Sequence, residues 1–166
     1  MKTTRMALGA ALISSACATM DAETTPPTTE DLAYVVELPL GFDESIERVT
    51  EALKAEQFSV VSRVDLHTIF EKKLGEKVSP HAILGACNSK LAHQAVTTVP
   101  EASLMLPCPV TVNTIEEGRT VVRIGNPQTI MASSGLAEFP TVRAVGEEAH
   151  ERLRRVVAAL VAQTED

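Results

Sequence analysis

The sequence predicts an α+β domain, with a mostly antiparallel sheet covered on one face by helices and a long C-terminal helix. Three observations carry this expectation. Short β-branched runs recur without the regular βαβ alternation of a doubly wound sheet. Two of them, residues 110–115 and 120–124, flank a Glu-Glu-Gly turn and read as a hairpin. Finally, Val142, Val145, Ala149, Leu153, Val156 and Leu160 trace one apolar face of a terminal helix.

The chain begins with a basic stretch holding Lys2 and Arg5, an apolar run over residues 6–13, and small residues over 14–18. These are the three parts of a secretory signal, so residues 1–18 are expected to be an export leader. The apolar run is too short to cross a bilayer, which takes roughly 20 residues. Ala16-Cys17-Ala18 suits ordinary signal peptidase, with Thr19 as the new first residue. Ser14-Ser15-Ala16-Cys17 also approximates a lipobox, in which Cys17 would carry a lipid anchor, although Ser14 stands where an aliphatic residue is usual. Export implies a periplasmic or extracellular protein, held at a membrane only if Cys17 is lipidated. Residues 19–30 have no hydrophobic periodicity, carry Pro26-Pro27, and read as a disordered tether. Residues 31–163 have the size of a single domain.

Within that domain, residues 34–38 read as a first strand, closed by Pro39 and Gly41. Asp43 is expected to cap the next helix, where Ile46, Val49, Ala52 and Leu53 form an apolar stripe. Residues 58–66 read as a second strand and 67–74 as a short helix ended by Gly75. Residues 83–87 form a buried strand, and 89–99 a helix that stops before Pro100. Residues 103–106 read as a further strand ahead of the hairpin, and the chain after Pro127 as a loop rich in small residues. The loop over 130–135 is a connector or a cover for a pocket.

The formal net charge is −7, and losing Lys2 and Arg5 with the leader takes it to −9. Binding to nucleic acid rests on Lys and Arg displacing counterions, so so acidic a domain is a poor partner for phosphate backbones. No basic run offers a surface for anionic lipids. The chain has no P-loop, G-x-G-x-x-G, G-x-S-x-G or H-E-x-x-H, and no cofactor is expected.

Several segments together resemble one known family. Gly41-Phe42-Asp43-Glu44, Asp65, Glu71-Lys72-Lys73-Leu74-Gly75, Ile83-Leu84-Gly85-Ala86-Cys87-Asn88, Leu91-Ala92-His93, and Leu106-Pro107-Cys108 before Val110-Thr111-Val112 occur in order and at suitable spacing. The chain thereby resembles the domain of unknown function 302 family over nearly the whole domain. The resemblance implies a small fold similar to the TATA-binding-protein-like α+β architecture. It implies neither DNA binding nor an activity, because fold and function are separable. The chain departs from the family pattern at Ser89 and Pro109, where proline and asparagine are usual.

Cys87 and Cys108 are the leading chemical candidates, each beside a residue that turns the chain, Asn88 or Pro107. One reading, in an oxidising compartment, joins the two as a disulfide, worth about 3 kcal/mol on the chain-entropy model. Alternatively both stay thiols, with Cys87 close to the N-terminus of the following helix, where a lowered pKa would suit redox, sulfur-carrying or soft-metal chemistry. A third reading makes them ordinary buried thiols. His93 could complete a Cys2His site, but the close ligand spacing of zinc sites is missing, and a helix-surface histidine is the simpler reading. His67, His81 and His150 share no spacing, and His150 is expected to be solvated. Asp65 is expected to cap a helix.

Three functions follow from these handles. One is a non-catalytic binding module of the cell envelope, taking a small ligand or a partner between sheet and helices. The second is a thiol-based protein using Cys87 and Cys108, and the third a self-associating protein whose sheet makes a homodimer. Mass spectrometry of the exported chain is expected to find Thr19 as its first residue. A diacylglyceryl group on an N-terminal Cys17 would identify lipoprotein processing instead.

Overall fold

Side chains alternate along each strand, and one face of the sheet packs against the helices that close the main core. A computed structural model describes residues 29–162; the expected leader, Cys17 and most of the expected tether lie outside the described residues. A short helix α1 (Thr29–Leu32) leads into β1 (Ala33–Leu38), where Val36 and Leu38 are buried while Val35 and Glu37 are exposed. Helix α2 (Phe42–Ala55) follows, then β2 (Ser59–Asp65), α3 (Leu66–Leu74) and β3 (His81–Cys87). After α4 (Ser89–Thr98) and a 3-10 turn (Pro100–Met105) come β4 (Cys108–Glu116) and β5 (Arg119–Gly125). The chain closes with α5 (Pro127–Ser134), a second 3-10 turn (Leu136–Glu138) and α6 (Pro140–Ala162).

The five strands lie in the order β1-β5-β4-β3-β2, and every neighbouring pair is antiparallel. This is the α+β architecture expected from the sequence, with its long C-terminal helix. Consecutive strands β1 and β2 occupy opposite edges, so the connection through α2 has to span the sheet. Leu84, Val110, Val112, Val122 and Ile124 point from the covered face into the core and are fully buried. They meet Val49 and Leu53 of α2 and Leu153, Val156 and Leu160 of α6, all in one cluster. Burying each such side chain contributes about 1.5–3 kcal/mol. One polar pair sits among them: the hydroxyls of Ser45 and Thr120, 2.6 Å apart, tie α2 to β5. Each satisfies the other and so avoids the roughly 1–3 kcal/mol penalty of a buried unpaired group.

Four local expectations are corrected. Residues 103–106 are not a strand: Pro100 opens a 3-10 turn, and Ser103 Oγ donates to the Pro100 carbonyl at 2.7 Å, bending the chain out of extension. The segment after Asn126 is not a loop but helix α5, with Pro127 in its first turn and Gly135 left-handed at its end (φ 73°). Its small residues carry little apolar periodicity, which hid it. Gly41, not Asp43, stands at the cap of α2, and Asp43 lies in the first turn, where the helix dipole still favours it. Asp65 does precede α3, but its carboxylate accepts from Arg63 Nε at 2.8 Å and makes no bond to the helix backbone.

Glycine at 85 is required by crowding. A Cβ there would fall inside van der Waals contact with Ser62 Oγ and the ring of Pro107. The hydroxyl can rotate away, whereas the proline ring is fixed in the chain. Gly85→Ala is therefore expected to destabilise the fold by about 1–3 kcal/mol, the usual range for overpacking. Urea denaturation of the two proteins checks this, and an unchanged midpoint would contradict it.

Candidate functional site

Three strand ends and two helix starts meet at one end of the sheet. β3 ends at Cys87, and Asn88 turns the chain into α4, its Oδ1 accepting from the Leu91 N–H at 3.1 Å. The Leu106–Pro107 peptide is cis and delivers Cys108 to the start of β4. β5 ends at Gly125, and Asn126 caps α5 by accepting from the Gln128 N–H at 3.1 Å. Asparagine suits both turns, because its side-chain oxygen reaches a backbone donor that the helix leaves unpaired.

The space between these turns is an apolar cleft of about 60 Å³. Its wall includes Asn88, Leu91, Ala95, Met105, Cys108 and Met131. The cleft falls between two hydrophobic clusters. The main core supplies Phe58, Leu91 and Ala149, and a smaller cluster supplies Ala95, Ala102, Met131 and Val142. Ala92, Ala95, Ala102 and Gly146 line it where larger residues would close it. Gly125 also lines it, and a Cβ there would stand 3.0 Å from the Pro109 ring and 3.2 Å from Ile130. Ser134 Oγ donates to Met105 Sδ at 3.4 Å, tying α5 to the segment that carries this wall residue.

Of the residues singled out in the sequence, this arrangement brings Asn88 and Cys108 together and leaves Cys87 and His93 out. Ala86 pairs with Cys108 across β3 and β4, and both face the helices. Cys87 is one residue further along β3, so it points to the opposite face of the sheet. The disulfide is therefore corrected: both cysteines are free, because a bridge would require one strand to turn its side chains over. Burial pushes the Cys108 thiol up to about 11, and the neighbouring Cys87 adds to the rise. Burial also raises the Cys87 thiol, against the lowering expected from a helix N-terminus. His93 is exposed on α4 and takes no part in the cleft wall. Among the described residues no group of three or more His, Cys, Asp or Glu is placed to hold a metal ion.

His150 departs from its expected solvation. It is half-buried, with Nδ1 hydrogen-bonded to the Tyr34 hydroxyl at 2.5 Å and lying 3.4 Å from Asn126 Oδ1. Burial raises the pKa of the Tyr34 hydroxyl. These contacts fasten α6 to β1 and to the cap of α5, just behind the cleft. His67 and His81 meet at the other end of β3, where His67 Nδ1 accepts from the His81 N–H at 3.1 Å. Burial, then Arg123 and His67, lower the His81 pKa. Met105 and Gly146 were missed by sequence reasoning, and Met131 was named only within the 130–135 loop read as a connector or a pocket cover. The only available signal was the Asn-Pro start and Gly stop of α5, which would have placed Met131 on a helix.

A family model described as Domain of unknown function DUF302 matches residues 34–160. Among solved structures, the chain is similar to an uncharacterized conserved protein DUF302 from Bacillus stearothermophilus. The two share 26% identity with a TM-score of 0.65, over 78% of this chain and 95% of that one. No curated protein matches.

The thiol geometry has a measurable consequence. A thiol at about 11 instead of 9.0 is ionised roughly 100-fold less near pH 8. Iodoacetamide is therefore expected to alkylate Cys108 in the folded protein at least about 100-fold more slowly than in urea. Reactivity should climb as pH rises toward 11, and both cysteines should titrate as thiols without reductant. The raised value also stabilises the folded state below the ordinary thiol pKa, and this contribution fades as pH rises from 9.0 toward 11. Rapid alkylation at neutral pH would contradict the assignment.

Proposed function

We propose, from the premise that this chain belongs to the DUF302 family of domains of unknown function, that it is an exported, non-catalytic module. Its ligand is a small apolar molecule, or an apolar part of one, held in the cleft between the strand ends and helices α4, α5 and α6. The observation that carries this reading is the character of the cleft wall. Alanine, leucine, methionine, valine and proline side chains make almost all of it, and Asn88 and Cys108 are its polar side chains. A concave apolar site with few convergent polar groups is the usual form of a small-molecule site.

The chemistry of those two groups favours holding over reacting. Asn88 has its oxygen engaged in capping α4, which leaves its amide N–H donors available to an occupant. Cys108 remains protonated at neutral pH, and the thiolate is the nucleophile in thiol chemistry. Cys87 lies on the other face of the sheet, which weighs against a redox couple between the two. Export is supported by the order of basic, apolar and small residues at the N-terminus, and the acidic composition weighs against nucleic acid.

Xenon tests the cleft directly, since it enters dry apolar cavities. Titration is expected to shift the methyl signals of Leu91, Ala92, Ala95 and Val142 saturably. Ala92→Leu adds bulk at the wall and is expected to abolish the shifts while the circular dichroism spectrum is retained. Absent or non-saturable shifts, or shifts unaffected by Ala92→Leu, would defeat the proposal.

A further inference from the structure

We infer that the cleft takes the chain of a single-chain amphiphile with an uncharged or zwitterionic head, and that Met131 is the gate its chain passes. The inference rests on the reading of the cleft as a ligand site and deepens it.

A second depression lies on the far side of Met131. It has a volume of about 200 Å³ and is lined by Gln128, Ala137, Arg143 and Glu147. Met131 and Gly146 line both spaces, so the methionine is the partition between them. The partition has a built seat. Met131 is buried, and a Cβ on Gly146 would stand 2.9 Å from its Cε and closer still to its Sδ. The glycine in the middle of a long helix is what lets the thioether lie there.

The volumes argue that the two spaces act together. Ordinary small-molecule sites begin at roughly 300 Å³. The cleft at about 60 Å³ and the outer depression at about 200 Å³ each fall short. Swinging the thioether aside would join them and release the space it fills. Methionine suits that movement, being unbranched, with three rotatable bonds and no polar group to re-satisfy.

The two spaces differ in chemistry as the two ends of an amphiphile do. The inner one is apolar, whereas the outer one brings an amide, a guanidinium and a carboxylate together. Arg143 and Glu147 oppose one another in charge, so a bare anion gains little there. A head that both donates and accepts, or carries both charges, can meet all three groups. Gln128 offers a donor and an acceptor on the same rim.

The test uses n-alkyl phosphocholines and n-alkyl sulfates of eight to ten carbons below their micellar concentrations, with xenon as a separate probe of the cleft. Calorimetry on the wild-type protein is expected to show the phosphocholine binding about tenfold more tightly than the sulfate of equal chain length. Gln128→Ala with Arg143→Ala should weaken phosphocholine binding about tenfold while leaving xenon uptake unchanged. Met131→Ala should speed association about tenfold, and Met131→Leu, which keeps the volume with a stiffer side chain, should slow it by a similar factor. Xenon uptake with amphiphile binding indifferent to residues 128, 131 and 143 would overturn this inference and leave the cleft reading standing. Failure of xenon to enter would overturn both. If Met131→Ala unfolds the protein, Met131→Leu decides: association at the wild-type rate overturns the gate.

Discussion

Strand alternation against a single layer of helices is the constraint on which the rest of this structure depends. With one face of the sheet buried, moving one residue along a strand carries a side chain from core to surface. That rule sends Leu84 and Ala86 inward from β3 and leaves Ile83 and Cys87 on the other side. It also sets Cys108 among the core residues, because Cys108 is opposite Ala86. Two cysteines that look like natural partners by position in the sequence are thus separated by the sheet itself. Their protonated state follows in turn, since a thiol facing the helices loses water without gaining a cation.

The same constraint explains where a cleft can form. Along the middle of the strands, side chains from α2 and α6 meet the sheet and fill the space completely, as Val49, Leu53, Leu153 and Val156 do. At the strand ends the backbone must turn, and the turn residues are chosen for their backbone and capping roles. Asn88, Pro107, Gly125 and Asn126 direct the chain, but they supply little apolar volume. The helices that start there also carry small residues toward the gap. The result is a main core, a satellite cluster and an apolar space between them.

Much of this fold was legible because its signals are periodic or chemically specific. Ile46, Val49 and Leu53 announced α2, Gly75 announced the end of α3, and the turn at Gly118 announced the hairpin. The misreadings have a common physical origin. Residues 103–106 look extended as a string of apolar residues, yet a proline three residues earlier starts a 3-10 turn and leaves Leu104 86% exposed. α5 is built of residues that favour no period, so only its caps could have revealed it. The candidate site was half legible: Asn88 and Cys108 stood out by their place beside turns. Met131 entered only as part of a loop read as a connector or a pocket cover, and Gly146 not at all, because their contact joins α6 to a helix that shows no apolar period. His150 was misjudged because its partner Tyr34 lies 116 residues away.

The cleft also carries an energetic argument for use. A glycine in a helix interior costs about 0.5–1 kcal/mol relative to alanine. An unfilled apolar space of about 60 Å³ adds on the order of 1–2 kcal/mol at the usual cavity coefficient. Both losses fall on the same few residues, and larger side chains at Ala92 or Ala95 would recover part of the second. The main core is closely filled by contrast, with Leu53, Leu84, Ile124, Leu153 and Leu160 fully buried. Local concessions of this kind gather at functional sites, where stability is given up for a shape that something else completes. Gly146 is the sharper of the two signs, because alanine there would strengthen α6 and displace Met131 from its seat. A helix that keeps glycine at that position keeps the methionine movable, and with it the connection between an apolar space and a polar one.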